Sequence, residues 1–367
     1  MNTFKDYAQI YLDESRCEHA YSSYISNRAK VNRLIKKFGK REISSIKHSE
    51  IKVWRGKIHK KLNNKTINDH LSILRTIFKI AVNDGVIAIN PMQDIKTLEI
   101  HILEPCPFAK DELIALQKTD TEYVTEKNLL FLAVVTGLRI CEILALTWNC
   151  VDFDKAEIQI NKSVVLGKYK LPKTKKSIRK VDLNTHAIEI LKNQFEITGH
   201  LKKRVIRVLQ KDNKSKVKES VQHVFISSRS KKPFRDVKEF TIKFFKGFLL
   251  KAEVKKRGAN QLRHTFASHA LTEGLNMEWI RKQMGHTSIK MIEKHYGTWM
   301  NADAPDYSNQ LGEALCDVFE KKATLCSVAK PGSKIVVSSW GGISDRKSSA
   351  GNFGVCTAGK WEIKRCA

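Results

Sequence analysis

The chain has 367 residues, 42% of them hydrophobic and 28% charged, which suits two folded domains with an appendage and argues against wholesale disorder. Lys plus Arg number 66 against 38 Asp plus Glu, a formal net charge of +28, so a polyanionic partner is expected, with nucleic acid ahead of an anionic membrane surface. No run of about 18 apolar residues marks a membrane span, the acid-bearing start MNTFKDYAQIYLDESR does not read as a secretory signal, the eight cysteines form no CxxC pair, and neither a Walker A loop nor a GxGxxG is present.

Residues 1–95 read as helix throughout. Phe4, Tyr7, Ala8, Ile10 and Tyr11 recur at helical spacing, and Leu71, Leu74, Ile77, Phe78 and Ala81 form one stripe that Asn83-Asp84-Gly85 should stop. Lys36, Lys37, Lys40 and Arg41 line a polar side; such a cluster is either a solvated face or a set of phosphate contacts. Residues 96–108 lack periodicity and hold two prolines, so a linker is placed there. A second unit covers 109–300. It opens with helices at about 110–118, 125–136 and 139–146, followed by strand-like alternation at 156–160, 163–171 and 178–183. A helix at about 185–196 follows, then a polar, basic loop or frayed helix over 200–219 and a short strand at 223–227. Helices resume near 236–252, 260–273, 276–284 and 288–294. Residues 161–260 carry 28 Lys plus Arg against 8 Asp plus Glu, a net +20. Over 301–324, Leu311, Ala314, Leu315, Val318 and Phe319 outline a helix that docks on a neighbouring copy or on its own domain. Residues 325–367, rich in Gly, Ser and Lys, show no strand set and read as a mobile tail.

Five places could carry chemistry on a phosphodiester, whose transfer develops negative charge suited to guanidinium forks. Arg139 follows a glycine stop at a buried helix start, with Glu142 three residues on to hold it; a structural Arg–Glu pair is the plain alternative. Arg263 and His264 stand at the edge of a stripe of Leu262, Phe266 and Ala270. Gly285 breaks a helix and leaves His286 at an exposed corner, able to donate to a phosphate oxygen or merely to cap. Tyr296, before Gly297 at a helix end, could swing its hydroxyl into a cleft or fill the core; as a nucleophile it would need nearby cations, because a free phenol has a pKa of ~10. Last, residues 171–181 read as a hairpin studded with Lys173, Lys175, Lys176 and Arg179, whose tip could protonate a leaving oxygen or touch phosphates without regard to sequence.

In this order and spacing, TGLR…E, LPKT, QLRHTFASH and MGHTS…HYG resemble the tyrosine recombinase (phage-type integrase) family over roughly residues 1–300. The resemblance implies an α-helical N-terminal core-binding domain and an α+β catalytic domain, mainly helical with a small antiparallel sheet. It implies Tyr296 as the nucleophile that forms a 3′-phosphotyrosyl link, Arg139 and Arg263 as the phosphate clamp, and His286 in the place of the second histidine. Lys173 would protonate the departing 5′ oxygen, and Glu142 would support Arg139. Where the family usually has a histidine or lysine three residues before the second arginine, this chain has Asn260, which cannot take up a proton near neutral pH; the neighbouring His264 is a candidate substitute. Many relatives begin with an arm-binding module, whereas this sequence opens at the helical domain. The implied activity is site-specific recombination of a mobile element without metal or cofactor, by a tetramer on double-stranded attachment sites in a bacterial cytoplasm, with a host DNA-bending protein or an excisionase as further partners. A DNA-binding regulator with lost catalysis and a type IB topoisomerase-like enzyme are the alternatives.

Overall fold

Thr3 and Asp6 start the first helix with a reciprocal cap. The Thr3 hydroxyl accepts from the Asp6 N–H at 3.3 Å, and the Asp6 carboxylate accepts from the Thr3 N–H at 3.1 Å, satisfying two donors that a helix start otherwise leaves unpaired. The computed structural model describes residues 2–100, 104–172, 178–210, 212–296, 353–357 and 360–364. Helices α1 (Phe4–Glu18), α2 (Tyr21–Phe38), α3 (His48–His59) and α4 (Asn64–Asn83) make the first layer. Helix α4 buries Leu71, Leu74, Ile77, Phe78 and Ala81, as its stripe predicts, and the chain leaves it through Gly85 at φ 73°. Phe4, Phe38 and Phe78 fill the centre of this layer, with Trp54 edge-on to Phe38 at 5.8 Å. Each such side chain contributes about 1.5–3 kcal/mol by leaving water.

A second core gathers α5 (Lys110–Lys118), α6 (Val124–Thr136), α7 (Ile140–Ile143), α8 (Thr185–Thr198), α9 (Val237–Phe240), α10 (Lys246–Lys251) and α11 (Gln261–Thr272) around two sheets. Strands β1 (Val151–Asp152), β2 (Glu157–Ile160) and β5 (Arg179–Asp182) form an antiparallel sheet in that order, with buried Ile158 opposite buried Val181. Strands β3 (Ser163–Val165), β4 (Lys168–Lys170), β6 (Arg204–Leu209) and β7 (Lys216–Val221) form a second sheet, in which β4 and β6 run parallel. Residues 241–245 make a π-helical turn between α9 and α10. Helices α12 (Met277–Met284) and α13 (Lys290–Tyr296) pack on α11 through Phe266, Ile280, Met284, Ile292 and Tyr296.

Four expectations change. The stretch 200–219 holds the β6–β7 hairpin rather than a loop or frayed helix. Ile206 and Val208 point inward, and the turn is set by Asp212, whose carboxylate accepts from the Lys214 and Ser215 N–H groups at 3.0 and 2.9 Å. Residues 223–227 make isolated bridges, His223 to Thr147 and Ile226 to Pro233, instead of a strand. The strands on either side of the 171–178 connection do not pair with each other, since β4 joins the second sheet and β5 the first. Within 325–367, where no strands were expected, β8 (Phe353–Thr357) and β9 (Lys360–Lys364) pair antiparallel. The expected docking helix over 301–324 lies outside the described residues. Among the described residues, no helix is long and apolar enough to cross a membrane.

Candidate active site

Helix α6 ends because Gly137 adopts a left-handed backbone at φ 65°. A Cβ there would lie 2.4 Å from the Phe266 ring, so α6 and α11 touch at a point that accepts only glycine. The chain then passes buried Leu138 and delivers Arg139 at the start of α7. Glu142 reaches back to it twice: Oε2 accepts from the Arg139 N–H at 3.1 Å, and Oε1 accepts from Nη1 at 3.0 Å. One carboxylate thus caps the helix and orients the guanidinium, which keeps 42% of its side chain exposed.

Arg263 comes from α11. Its Nη1 donates to the Gly137 carbonyl at 2.6 Å and its Nη2 to the Met284 carbonyl at 2.7 Å. The same guanidinium therefore ties the turn that carries Arg139 to the end of α12. There Gly285, left-handed at φ 67°, redirects the chain to His286, whose carbonyl accepts from Arg281 at 2.8 Å. At the end of α13 the Tyr296 ring is 2% exposed, and its hydroxyl lies 2.5 Å from Nδ1 of His264.

Burial presses the Arg263 guanidinium below its ordinary value, with Arg139 next and Arg179 acting the same way, while Glu142 and Tyr296 oppose them. Arg139, Glu142, Arg179 and Tyr296 thus all lie within electrostatic reach of Arg263. Burial also pushes the Tyr296 phenol up to about 12, and Arg263 pulls against that rise. For Glu142, burial would raise the carboxyl. The hydrogen bonds and charge of Arg179, together with Arg139 and Arg263, win and hold it below its usual range. Three guanidiniums face one carboxylate, leaving a cationic site suited to a phosphate.

The structure brings Arg139, Glu142, Arg263, His264 and Tyr296 together, with His286 two residues past the α12 end that Arg263 holds. Asn260 is exposed at the N-cap of α11, one turn before Arg263. Lys173, Lys175 and Lys176 lie outside the described residues. Arg179, expected among surface phosphate contacts, is instead buried, with its side chain 7% exposed and both ends of its fork on Glu142. Lys36, Lys37 and Lys40 are exposed on and just beyond α2, whereas Arg41 is paired with Glu50 at 2.6 Å. Sequence reasoning missed Gln283, which is buried. Its side chain accepts from the Asp182 N–H at 3.1 Å and donates to the Asp182 carbonyl at 2.7 Å, fastening α12 along β5. A glutamine just before buried Met284 was the available signal.

Away from these residues, a cleft of about 1140 Å³ runs between the α1–α2 corner and the second sheet. Arg16, Arg28, Lys168, Arg207, Lys214 and Lys216 line it, and the Lys168 ammonium sits 3.0 Å over the Tyr21 ring. Among the described residues, no group of three or more His, Cys, Asp and Glu is placed to hold a metal ion.

The model of the phage integrase family matches residues 108–300, and that of the phage integrase SAM-like domain matches residues 3–98. The prophage integrase IntR of Escherichia coli is 30% identical over 241 residues, which are 65% of this chain and 58% of that protein. The match therefore spans less than two thirds of that relative's length. Among solved structures, the Tn1549 transposon integrase in complex with a circular intermediate DNA superposes with a TM-score of 0.66 at 21% identity, covering 86% of this chain and all of that one. A lambda integrase tetramer bound to a Holliday junction superposes with a TM-score of 0.61 at 15% identity, covering 78% of each chain. These two likenesses concern the fold.

Proposed function

The chain belongs to the phage integrase family, and from that premise we propose that it is a site-specific DNA recombinase that breaks and rejoins strands through Tyr296. The observation that carries this reading is the position of Arg263, which binds the Arg139 turn and the α12 end while lying within electrostatic reach of both Arg139 and Tyr296. In the proposed reaction Arg139 and Arg263 hold the non-bridging oxygens of the scissile phosphate, and His286 donates a third hydrogen bond. The Tyr296 oxygen attacks phosphorus, the bond to the 5′ oxygen breaks, and a 3′-phosphotyrosyl link remains. A proton from Lys173 goes to the departing 5′ oxygen.

The phenol must lose its own proton. At about 12 its acidity leaves roughly one molecule in ten thousand ionised at pH 8. Asn260 cannot accept that proton; His264 Nδ1, 2.5 Å from the hydroxyl, is within reach of it. His264 is thus the acceptor in this proposal. The 5′-hydroxyl of a partner strand then attacks the phosphotyrosine and rejoins the backbone. The link conserves the energy of the broken ester, so the cycle needs no nucleotide.

The expected partners are double-stranded attachment sites, three further copies of the chain, and a host DNA-bending protein or an excisionase. The expected location is a bacterial cytoplasm, at the nucleoid. The lambda integrase tetramer bound to a Holliday junction supports the assembly by likeness of fold. The test is a nicked suicide duplex cut from the attachment junction beside the gene. The parent chain should form a covalent adduct, and Tyr296→Phe should bind the duplex within a few-fold and form none. An adduct from the Phe variant overturns the nucleophile; relaxation of a plasmid lacking any such junction would mark a topoisomerase instead.

A further inference from the structure

Arg179 makes three side-chain hydrogen bonds within the site. Its Nη2 donates to Glu142 Oε2 at 2.9 Å, its Nη1 donates to Glu142 Oε1 at 3.3 Å, and its Nε donates to the Gln283 carbonyl at 3.0 Å. The side chains of Arg179 and Glu142 are 7% and 9% exposed. A phosphate arriving at the half-exposed Arg139 would not meet Arg179 directly. Gly285 confirms how closely the corner is fitted to it: a Cβ there would stand 2.8 Å from the Arg179 Cζ. The left-handed residue before His286 is thus folded against this guanidinium.

The geometry points to Arg179 as a positioning residue for strand transfer, which sets Arg139 through Glu142 and His286 through the Gln283–Gly285 corner; this rests on the recombinase reading above. First, Glu142 uses both oxygens for both arginines. Arg179 grips it as a fork, whereas Arg139 reaches it through one side-chain nitrogen and its own backbone N–H. The fork therefore fixes the plane of the carboxylate, and that plane fixes where the rest of the Arg139 guanidinium faces. Second, Arg179 and Arg263 are parallel struts between the same two segments. Arg263 links Gly137 to Met284, and Arg179 links Glu142 to Gln283. Two struts resist rotation of one segment against the other where a single strut would act as a pivot. Phosphoryl transfer depends on such alignment, because displacement by about 1 Å can cost on the order of a hundredfold in rate.

The experiment uses the full chain on the same nicked duplex, with Arg179→Lys, Arg179→Met and the double variant Arg179→Met/Glu142→Gln. Lysine keeps the charge but cannot form the fork. Melting temperature, duplex affinity and the single-turnover rate of adduct formation at saturating duplex are measured together. Arg179→Lys should melt near the parent, bind the duplex within about threefold, and react at least about tenfold more slowly. Arg179→Met should be slower still, by about a hundredfold, and the double variant should be no slower than Arg179→Met, since both act through one carboxylate. A Lys variant that reacts at the parental rate overturns the positioning role, as does a double variant whose losses multiply. Should Arg179→Met fail to fold, Arg179→Lys decides the matter alone. If the parent itself forms no Tyr296-dependent adduct, the recombinase reading falls, a result distinct from either of these.

Discussion

The Tyr296 hydroxyl lies 2.5 Å from Nδ1 of His264, the residue directly after Arg263. Neighbours on a helix point about 100° apart, so this turn of α11 sends one side chain to the Gly137 and Met284 carbonyls and the next to the phenol. In the proposed reaction, binding of phosphate and handling of the phenol's proton would therefore both depend on one helix. Arg263 on α11 is a cation acting on the Tyr296 phenol, and Arg139, Glu142 and Arg179 lie within electrostatic reach of Arg263.

This arrangement fixes how cleavage should respond to pH. With the phenol near 12, the ionised fraction rises tenfold per pH unit through neutrality. An imidazole acceptor removes that dependence once it is unprotonated. The parent rate should rise less steeply with pH than that of His264→Gln, which should start lower and climb about tenfold per unit from about pH 6 to about pH 9. Single-turnover adduct formation measures both; parallel profiles would remove His264 from the proton path.

Glu142→Gln should destabilise the fold by about 3–5 kcal/mol, because it strips the counter-charge from buried Arg179. Burial works to raise the Glu142 carboxyl, but Arg179, Arg139 and Arg263 hold it below its ordinary 4.5. A lowered folded value means the stabilisation is present above about pH 4.5 and is lost as pH falls through the folded value. Denaturant midpoints taken from neutrality into acid should fall for the parent below that point and stay flatter for the Gln variant.

His223 predicts a second acid effect at higher pH. Burial first, then Arg204 and Lys162, push its imidazole down to about 4, while Tyr169 meets its Nε2 at 2.8 Å. Unfolded chain takes up the proton near 6.5 and folded chain does not, so stability present above about pH 6.5 declines to a floor near pH 4, by about 3 kcal/mol in all. His223→Gln keeps a hydrogen-bonding side chain without titrating there. Its unfolding free energy should lack this slope; an unchanged slope would acquit His223.

Lys36 and Lys37 at the end of α2 and Lys40 just beyond it stand exposed. If they meet phosphates, each substitution by alanine should weaken duplex binding about equally for all sequences and lower the slope of log affinity against log salt by ~1. Fluorescence anisotropy across a salt series reads both quantities. An unaltered slope would return these lysines to an ordinary solvated face.

Much of this was legible in the chain itself, and the failures share a cause. The α4 stripe and the stops at Gly137 and Gly285 depend on local periodicity and backbone freedom, which spacing reports directly. The β6–β7 hairpin is hidden because exposed Arg204, Arg207, Lys216 and Lys218 submerge its alternation in a basic run. Arg179 reads as a surface cation for the same reason, standing in a lysine-rich stretch with nothing nearby to signal its partner. Glu142 is 37 residues away and His264 is 32 from Tyr296. Such meetings are decided by how elements stack, and spacing along the chain does not encode them.

The contact between Gly137 and Phe266 gives a way to separate two contributions that mutagenesis of arginines mixes. Alanine at position 137 leaves every ionisable group intact yet asks a methyl to occupy space already held by an aromatic ring. The added carbon acts as a wedge between the segments that present the two guanidiniums. A single hydrocarbon group can therefore disarm the centre while its net charge, and with it the long-range attraction for a polyanion, stays as it was.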